Sequence, residues 1–203
     1  MSILVYTANV GNYDVHATHV NQSIPCDFKV FSDPIEGLSN SKASRWYKTH
    51  PPQDYDLTIY IDASVRIKSH GFVQWCAQQG EFSAFKHPNR DCLYEEAKVC
   101  RYMRKCLDEP IWDQAEHYRA EGMPEHYGLW TGGILVRKKG EPISADWWTE
   151  IEKWSGRDQI SLPYVFWKHN RKPTELPCSF PSNMVALDSS SHTKGYEQCP
   201  PSS

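Results

Sequence analysis

The sequence predicts one α/β domain with a mixed, mostly parallel β-sheet flanked by helices. Short runs of β-branched and aromatic residues, such as Ile3–Ala8, alternate with longer segments whose apolar residues have helical spacing. The run Leu57–Ile61 holds only apolar, aromatic and β-branched residues, a pattern typical of a strand covered on both faces. Asp62 follows it directly. Because ligands of open α/β sheets bind beyond the carboxyl ends of the strands, this acid indicates a binding site at that edge.

Composition narrows the classes of partner and compartment. At 203 residues the chain can bury roughly 70% of its unfolded surface. Lys and Arg number 22 against 25 Asp and Glu, and the absence of a basic stripe argues against nucleic acid. The sequence shows neither a signal peptide after Met1 nor an apolar run of transmembrane length, so we expect a cytoplasmic protein. The seven cysteines lack C-x-x-C spacing and are interpreted as free, mostly buried thiols.

Three early strands are predicted to end in polar residues. Asn9 follows the first strand, Asp33 follows a strand at 28–31, and Asp62 follows the third. If the chain stays extended past Asp62, Ser64 points to the same side, and acid and hydroxyl converge on one ligand. The alternative is that Asp62 only caps a turn or helix where the strand ends.

A short helix is predicted between the second and third strands. Ser41 is expected to cap it, and Pro51-Pro52 to stop it. Arg45 and Lys48 are three positions apart and share one face of this helix. Two interpretations remain open, a solvated charged face or a cationic pair that binds phosphates.

Polar residues also follow a strand predicted at 82–85, in a segment that carries His87 and Arg90. The next helix has Glu95 and Glu96 in its first turn. Acids there interact favourably with the helix dipole, so at least one of them is assigned a structural role.

Two features of the second half indicate a site. Gly132-Gly133 precedes a buried strand at 134–136 and lets the backbone approach a ligand closely. Asp158 begins a later helical stretch, where it is either the N-cap or a site residue. From residue 173 onward the chain lacks periodicity and is predicted to form an irregular tail.

Taken in order, five motifs resemble a glycosyltransferase-like family first catalogued as a domain of unknown function, known from plant mucilage-related proteins and bacteria. They resemble family 8 retaining glycosyltransferases more distantly. Together they span most of the chain. The motifs are Tyr6-Thr-Ala-Asn-Val-Gly-Asn-Tyr-Asp14, Tyr60-Ile-Asp-Ala-Ser64, His87-Pro-Asn-Arg-Asp-Cys-Leu-Tyr-Glu-Glu96, Gly128-Leu-Trp-Thr-Gly-Gly133, and Trp147-Trp148 through Arg157-Asp-Gln-Ile-Ser161.

This resemblance implies a GT-A-like single domain at 1–172, with a Rossmann-like nucleotide-binding half at about 1–86, an acceptor half at about 87–172 and a tail at 173–203. The implied activity is hexosyl transfer from a nucleotide sugar, with UDP favoured, to a carbohydrate or glycoconjugate acceptor with retention of configuration. Two rivals stay open. One is an inactive nucleotide- or glycan-binding module of the same fold, and the other is a metal-dependent hydrolase.

The resemblance also implies roles for individual residues. Asp158, Gln159 and Arg157 are expected as catalytic residues near the anomeric carbon, and His87, Arg90 and Trp130 as acceptor or phosphate contacts. The expected donor-binding residues are Thr7, Asn9, Tyr13, Asp33, Arg45, Lys48, Asp62, Ser64, Gly132 and Gly133.

A divalent cation, Mn²⁺ or Mg²⁺, is expected from the Asp-x-Asp motif of such enzymes. Asp62 matches the first acid, but Ser64 replaces the second, and a neutral hydroxyl is a poor substitute for a carboxylate on these ions. One compensation is a metal site completed by His192. The other is neutralisation of the diphosphate by Arg45, Lys48 and Arg90 without a metal. The sequence favours the metal site slightly, because Asp62 beside a diphosphate needs a cation.

Overall fold

The computed structural model describes residues 1–12, 19–103, 109–177 and 184–187. Its elements alternate along the chain as the sequence predicts. The strands are β1 Ile3–Ala8, β2 Asp27–Phe31, β3 Leu57–Ile61, β4 Val65–Ile67, β5 Phe82–Lys86, β6 Trp130–Lys138, β7 Thr174–Glu175 and β8 Val185–Leu187. The helices are α1 Asn40–Thr49, α2 Phe72–Ala77, α3 Leu93–Tyr102, α4 Ile111–Ala120, α5 Ile143–Lys153 and α6 Asp158–Lys168.

Six strands form a mixed sheet in the order β2-β1-β3-β6-β5-β7. Strand β1 runs parallel to β2 and β3, and β5 runs parallel to β7, whereas β6 is antiparallel to both of its neighbours. Strands β4 and β8 form a separate antiparallel pair. The predicted α/β class with a mixed, mostly parallel sheet is therefore confirmed.

This topology brings the predicted polar strand ends to one edge of the sheet. Because β6 runs against β3 and β5, its first residues lie beside the last residues of those strands. Asp62 follows β3 and His87 follows β5 at this edge, and Gly132 and Gly133 lie near the start of β6. Residues that were predicted to form the site therefore meet at this edge from three strands.

The sheet is covered on both faces, and all five residues of β3 are buried. One apolar cluster joins Tyr6, Tyr60 and Leu135 to the helices α3 to α6. A second cluster joins Ile59 and other strand residues to α2 and β4 on the opposite face. In the ranges that the structure describes, no helix has the length and apolar character needed to cross a membrane.

Three local expectations differ from the structure. Helix α1 begins at Asn40, and its N-cap is Ser39, whose Oγ accepts a hydrogen bond from the Lys42 amide at 3.3 Å, not Ser41. Gly132-Gly133 lies inside β6, because the paired strand starts earlier than its apolar run. The segment predicted as an irregular tail contributes β7 and β8.

Strand β6 also carries Arg137, which is fully buried and binds the end of α1 to the sheet. Its Nη1 donates to the Lys48 carbonyl at 2.6 Å and to Ser144 Oγ at 3.1 Å. Its Nη2 donates to the Tyr6 hydroxyl. A buried guanidinium needs such acceptors to offset the loss of its hydration. This network fixes the backbone position of Lys48.

We expect Arg137→Met to lower the free energy of unfolding by about 3 kcal/mol, because the buried Lys48 carbonyl and Tyr6 hydroxyl lose a charged donor. Urea unfolding followed by circular dichroism measures the change. The control is Lys138→Met at the exposed neighbouring position, which should change stability by less than about 0.5 kcal/mol. Equal effects of the two substitutions would contradict this role of Arg137.

Candidate functional site

A lysine lies between two carboxylates at the polar edge of the sheet. The Lys48 Nζ is 2.5 Å from Asp158 Oδ2 and 3.2 Å from Asp62 Oδ1. The Lys48 and Asp158 side chains are only 5% and 7% exposed, whereas that of Asp62 is 40% exposed. Buried charges are tolerated when they are paired. One ammonium therefore balances two acids, and Asp62 is the member of this ion triad that faces solvent.

The three residues of the triad come from separate elements. Lys48 is in the last turn of α1, Asp62 directly follows β3, and Asp158 is the first residue of α6. The N-cap position of α6 is Arg157, and the carboxylate of Asp158 bonds to Lys48. The N-cap interpretation of Asp158 is therefore wrong, because its side chain is directed to a residue of another helix.

Tyr60 supports the triad, and the sequence analysis missed it. Its hydroxyl donates to Asp62 Oδ1 at 2.9 Å, and the Lys48 Nζ lies 5.0 Å from the centre of its ring. An ammonium at this distance from a tyrosine ring is in range of a cation–π interaction. Tyr60 is two positions before Asp62 on a strand, so the period of two was the available signal.

Arg45 adds a second cation beside the triad. Its Nε donates to the Gly156 carbonyl at 3.3 Å, directly before the α6 segment. Burial disfavours the charged form of Arg45, but the carboxylates of Asp158 and Asp62 raise its pKa above the ordinary value. Arg45 and Lys48 thus face the same segment, and a fully solvated charged face is excluded for Lys48.

Gly132 lets β6 approach the triad closely. A Cβ at this position would lie 2.8 Å from Asp158 Oδ2 and 3.1 Å from Lys48 Nζ, so a side chain would displace the ion pair. The β5–β6 register shifts at this level, between Ala84 and Phe85. The neighbouring Gly133 carbonyl accepts the Asp62 amide at 2.8 Å. Both glycines therefore contact the triad residues.

Ser64 does not continue the extended strand. The Val65 amide donates to the Asp62 carbonyl at 2.9 Å, which closes a turn over 62–65. The period of two applies only to extended chain. The expectation that Ser64 shares a side with Asp62 through strand geometry is therefore wrong, although Ser64 remains half-buried close to it in sequence.

A second charged cluster is centred on Glu96, which is 1% exposed. Arg90 donates to Glu96 Oε2 through Nε at 2.8 Å and Nη2 at 2.7 Å. Arg157 Nη2 donates to Glu96 Oε1 at 2.7 Å and to Gln159 Oε1 at 2.7 Å. Burial opposes ionisation of Glu96, but the two arginines hold its pKa below the usual value. Glu96 thus positions Arg157 directly beside Asp158.

His87 belongs to this cluster. Its Nδ1 accepts hydrogen bonds from the amides of Asn89 at 3.3 Å and Arg90 at 3.1 Å. Burial and the nearby Arg90 guanidinium lower the pKa of His87, so the neutral form predominates at pH 7. Glu96 was not singled out as a site residue from the sequence, because a glutamate in a first helical turn is already explained by the helix dipole.

The remaining predicted site residues are scattered. Thr7 is fully buried, and within the described part of the chain its Oγ1 has no hydrogen-bond partner. Asn9 is buried at the end of β1, whereas Asp33 is exposed beyond β2. Trp130 is 1% exposed and packs beside Phe166 in the core, so its ring has no face for a ligand. The predictions for Tyr13 and His192 fall outside the described residues.

The described residues do not fit a divalent cation in this arrangement. No group of three or more His, Cys, Asp or Glu side chains in the described ranges could hold a metal ion. Asp62 and Asp158 are the two acids of the ion triad, and both are bonded to the Lys48 ammonium. A metal held by Asp62 and His192 stays a prediction.

A cavity of about 280 Å³ lies at the opposite edge of the sheet. It is bounded by Thr58 at the start of β3, by Lys138 at the end of β6, and by His50 and Glu141. None of the triad residues lines this cavity. The cavity and the buried charges therefore lie at different edges of the sheet. The buried charges mark the candidate site, because buried ions are rarely placed together without a functional reason.

The ion triad predicts a specific dependence of stability on acid. Although burial disfavours an ionised Asp158, Lys48 and Arg45 hold its pKa well below the usual value, which is about 3.9 in an unfolded chain. A depressed pKa stabilises the fold above the unfolded pKa, and this contribution is lost as the pH falls. The free energy of unfolding should therefore decrease below about pH 4.

Urea unfolding at neutral and acidic pH measures this loss. Asp158→Asn should remove part of the decrease, whereas Asp54→Asn, at an exposed carboxylate, should leave it unchanged. An identical acid response in wild type and Asp158→Asn would contradict the ionised, paired state of Asp158.

Three solved structures of glycosyltransferases resemble this chain. The apo structure of the bifunctional glycosyltransferase WbbM has 14% identity and a TM-score of 0.47, over 87% of this chain and 38% of that chain. Mouse xyloside xylosyltransferase 1 in its apo form has 9% identity and a TM-score of 0.42, over 87% and 85%. Galactosyltransferase LgtC, crystallised with donor and acceptor sugar analogs, has 14% identity and a TM-score of 0.39, over 82% and 70%. Scores this low define neither donor nor acceptor for this chain.

A family model gives the more direct comparison. No curated protein matches the chain. Residues 54–184, more than half of the chain, match the TOD1/MUCI70 glycosyltransferase-like domain. The matched range contains Asp62, Gly132, Glu96 and Asp158, and it therefore covers two members of the ion triad and the centre of the second cluster. The chain belongs to the TOD1/MUCI70 glycosyltransferase-like family.

Proposed function

We propose that this protein is a glycosyltransferase that moves a sugar from a nucleotide-sugar donor, with a UDP-sugar favoured, to a carbohydrate or glycoconjugate acceptor. The observation that carries the proposal is the pairing of Lys48 with Asp62 and Asp158 at the carboxyl edge of the sheet, with Arg45 close enough for both acids to raise its pKa. Membership in a glycosyltransferase-like family supports it. Cations at a strand edge suit a phosphorylated ligand, and a solvent-facing acid suits sugar hydroxyls.

The chemistry of transfer requires charge stabilisation in two places. When the bond between the anomeric carbon and the diphosphate breaks, the diphosphate keeps the electron pair and the sugar becomes positively charged. Arg45 is half-buried at the edge and is the cation proposed to contact the leaving diphosphate. Asp158 stays ionised and provides a fixed negative charge near the developing cation.

Gln159 and the Glu96 cluster define the other side of the proposed reaction centre. The Gln159 amide is held by Arg157, and Arg157 is held by Glu96, so the orientation of Gln159 is fixed before a ligand arrives. Such preorganised dipoles stabilise charge without rearrangement during the reaction. We assign the acceptor side to this cluster, including His87 and Arg90, and retention of configuration remains part of the proposal.

Nucleotide binding tests the donor site first. We expect UDP or GDP to bind in a calorimetric titration, and Asp62→Asn to weaken the binding about tenfold through loss of a charged hydrogen-bond acceptor. The control is Asp146→Asn, since that carboxylate is 63% exposed and pairs with His169 on another surface. If neither nucleotide binds the wild-type protein, the proposed function is wrong.

The turnover number tests the catalytic role proposed for Asp158. With a donor that the wild type consumes, Asp158→Asn should lower kcat about 100-fold or more, because the fixed charge near the anomeric carbon is lost. Nucleotide affinity should change less than about threefold, since Asp62 and Arg45 remain. A thermal melt of the same sample separates this effect from loss of the Lys48 ion pair.

The results of these measurements distinguish the transferase from its alternatives. Equal losses of kcat, affinity and thermal stability would assign Asp158 a structural role only. Nucleotide binding by the wild type without transfer or donor hydrolysis would favour the inactive binding module.

A further inference from the structure

The position of Lys48 raises the question of what the Asp62 carboxylate binds. In an Asp-x-Asp site an acid at this position contacts a divalent cation, and the cation contacts the diphosphate. Here the Asp62 Oδ1 is 3.2 Å from the Lys48 Nζ and accepts the Tyr60 hydroxyl at 2.9 Å. The same ammonium is 2.5 Å from Asp158 Oδ2. A positive charge is thus already placed between the two acids.

We propose that the Lys48 ammonium takes the place of a divalent cation in this site, so that nucleotide binding and transfer proceed without a metal. This inference rests on the proposed function. Lys48 acts here as a positioning residue, because it is 5% exposed and works through Asp62. It offsets the negative charge of Asp62 near the diphosphate and orients this carboxylate for the sugar hydroxyls that the proposed function assigns to it.

The ammonium is held in place from several directions. Arg137 fixes the Lys48 carbonyl at 2.6 Å, and the Tyr60 ring lies 5.0 Å from Nζ. The backbone of Gly132 also lies close to the ammonium, since even a Cβ there would lie 3.1 Å from Nζ. A metal ion bonded to both carboxylates would need the space that Nζ fills. A metal ion placed beside the Lys48 ammonium would also be repelled strongly, because two positive charges in contact repel each other in a buried site.

The rest of the donor set also suits an ammonium better than a metal. Ser64 offers a neutral hydroxyl in place of a second carboxylate, and it lies in a turn. Mg²⁺ and Mn²⁺ are held by several oxygen ligands, usually carboxylates and waters. An ammonium needs only hydrogen-bond acceptors, and Asp62 and Asp158 supply two.

The side chains of the ion triad, Arg45 and the Glu96 cluster together carry slightly more positive than negative charge, which favours an anionic ligand such as a diphosphate. Four cationic side chains face three acids in the two clusters, which leaves a formal surplus of one positive charge. The cations are Arg45, Lys48, Arg90 and Arg157, and the acids are Asp62, Glu96 and Asp158. Arginine and lysine neutralise phosphates in many sites through charged hydrogen bonds.

The first test uses Mn²⁺ alone. Metal-stripped wild-type protein, Lys48→Ala and the control Lys42→Ala from the same helix are titrated with Mn²⁺, and the free ion is measured by electron paramagnetic resonance. Removing the ammonium leaves Asp62 and Asp158 free to share a metal. We expect Mn²⁺ to bind Lys48→Ala at least about tenfold more tightly than wild type or Lys42→Ala.

The second test uses nucleotide. UDP and GDP are titrated into the same three proteins in EDTA and in excess Mn²⁺. Wild-type affinity should agree between the two conditions within about twofold, whereas Lys48→Ala should bind weakly in EDTA and recover with Mn²⁺. A purely structural lysine would not produce such a recovery.

One result would overturn the proposal for Lys48 and leave the proposed function valid. Wild-type nucleotide binding that requires Mn²⁺ and disappears in EDTA would show that a metal acts beside Lys48. Failure of nucleotide binding in every condition would remove the proposed function, and the Mn²⁺ titration would still decide whether Lys48 excludes a metal.

A further variant covers the case in which Lys48→Ala does not fold. Asp62→Asn removes one acid and keeps the ammonium. If a metal on Asp62 supports nucleotide binding, Mn²⁺ will strengthen binding to wild type but not to Asp62→Asn. If Lys48 takes that place, Mn²⁺ will strengthen binding to neither protein.

Discussion

The buried ion pair between Lys48 and Asp158 is the interaction on which the rest of the site depends. Its two side chains are almost entirely removed from water, and either one alone would be an unpaired charge in the interior. The end of α1 and the start of α6 must therefore meet at the sheet edge. Asp62 joins the pair through the same ammonium, and this brings the end of β3 into the site.

Strand β6 positions the ion pair through two of its residues. Near its start, Gly132 has no side chain and allows the backbone to contact the ion pair. Further along the same strand, Arg137 holds the Lys48 carbonyl and ties α1 to the sheet. Because β6 is antiparallel to β3, its start lies at the carboxyl edge of the parallel strands. One strand thus controls both the backbone of Lys48 and the space around its ammonium.

The site is charged but largely paired before any ligand binds. The triad and the Glu96 cluster hold their arginines, lysine and acids in fixed directions. Fixed charges of this kind stabilise developing charge during a reaction with little rearrangement. The same pairing also costs stability relative to an apolar core, since each buried charge loses its hydration. Strongly paired, buried charges gathered at one sheet edge are typical of functional sites, and the chain belongs to a glycosyltransferase-like family.

Local patterns in the sequence were sufficient to predict the strands, most helices and the position of Asp62 at a strand end. Apolar runs encode buried strands, and the three-residue spacing of Arg45 and Lys48 encodes a shared helix face. The motif order also indicated the family. These features depend on residues that are close in the chain, so they can be read without knowing the fold.

The tertiary structure alone decided which charges meet. Lys48 and Asp158 are 110 positions apart, and no spacing rule connects them. Glu96 was explained equally well by a helix dipole until Arg90 and Arg157 were found around it. Trp130 belonged to a promising motif but packs in the core, because the strand that carries it is covered by α6. Pairing between distant residues follows from how helices pack on the sheet, and that packing is set by the whole chain and not by any local pattern.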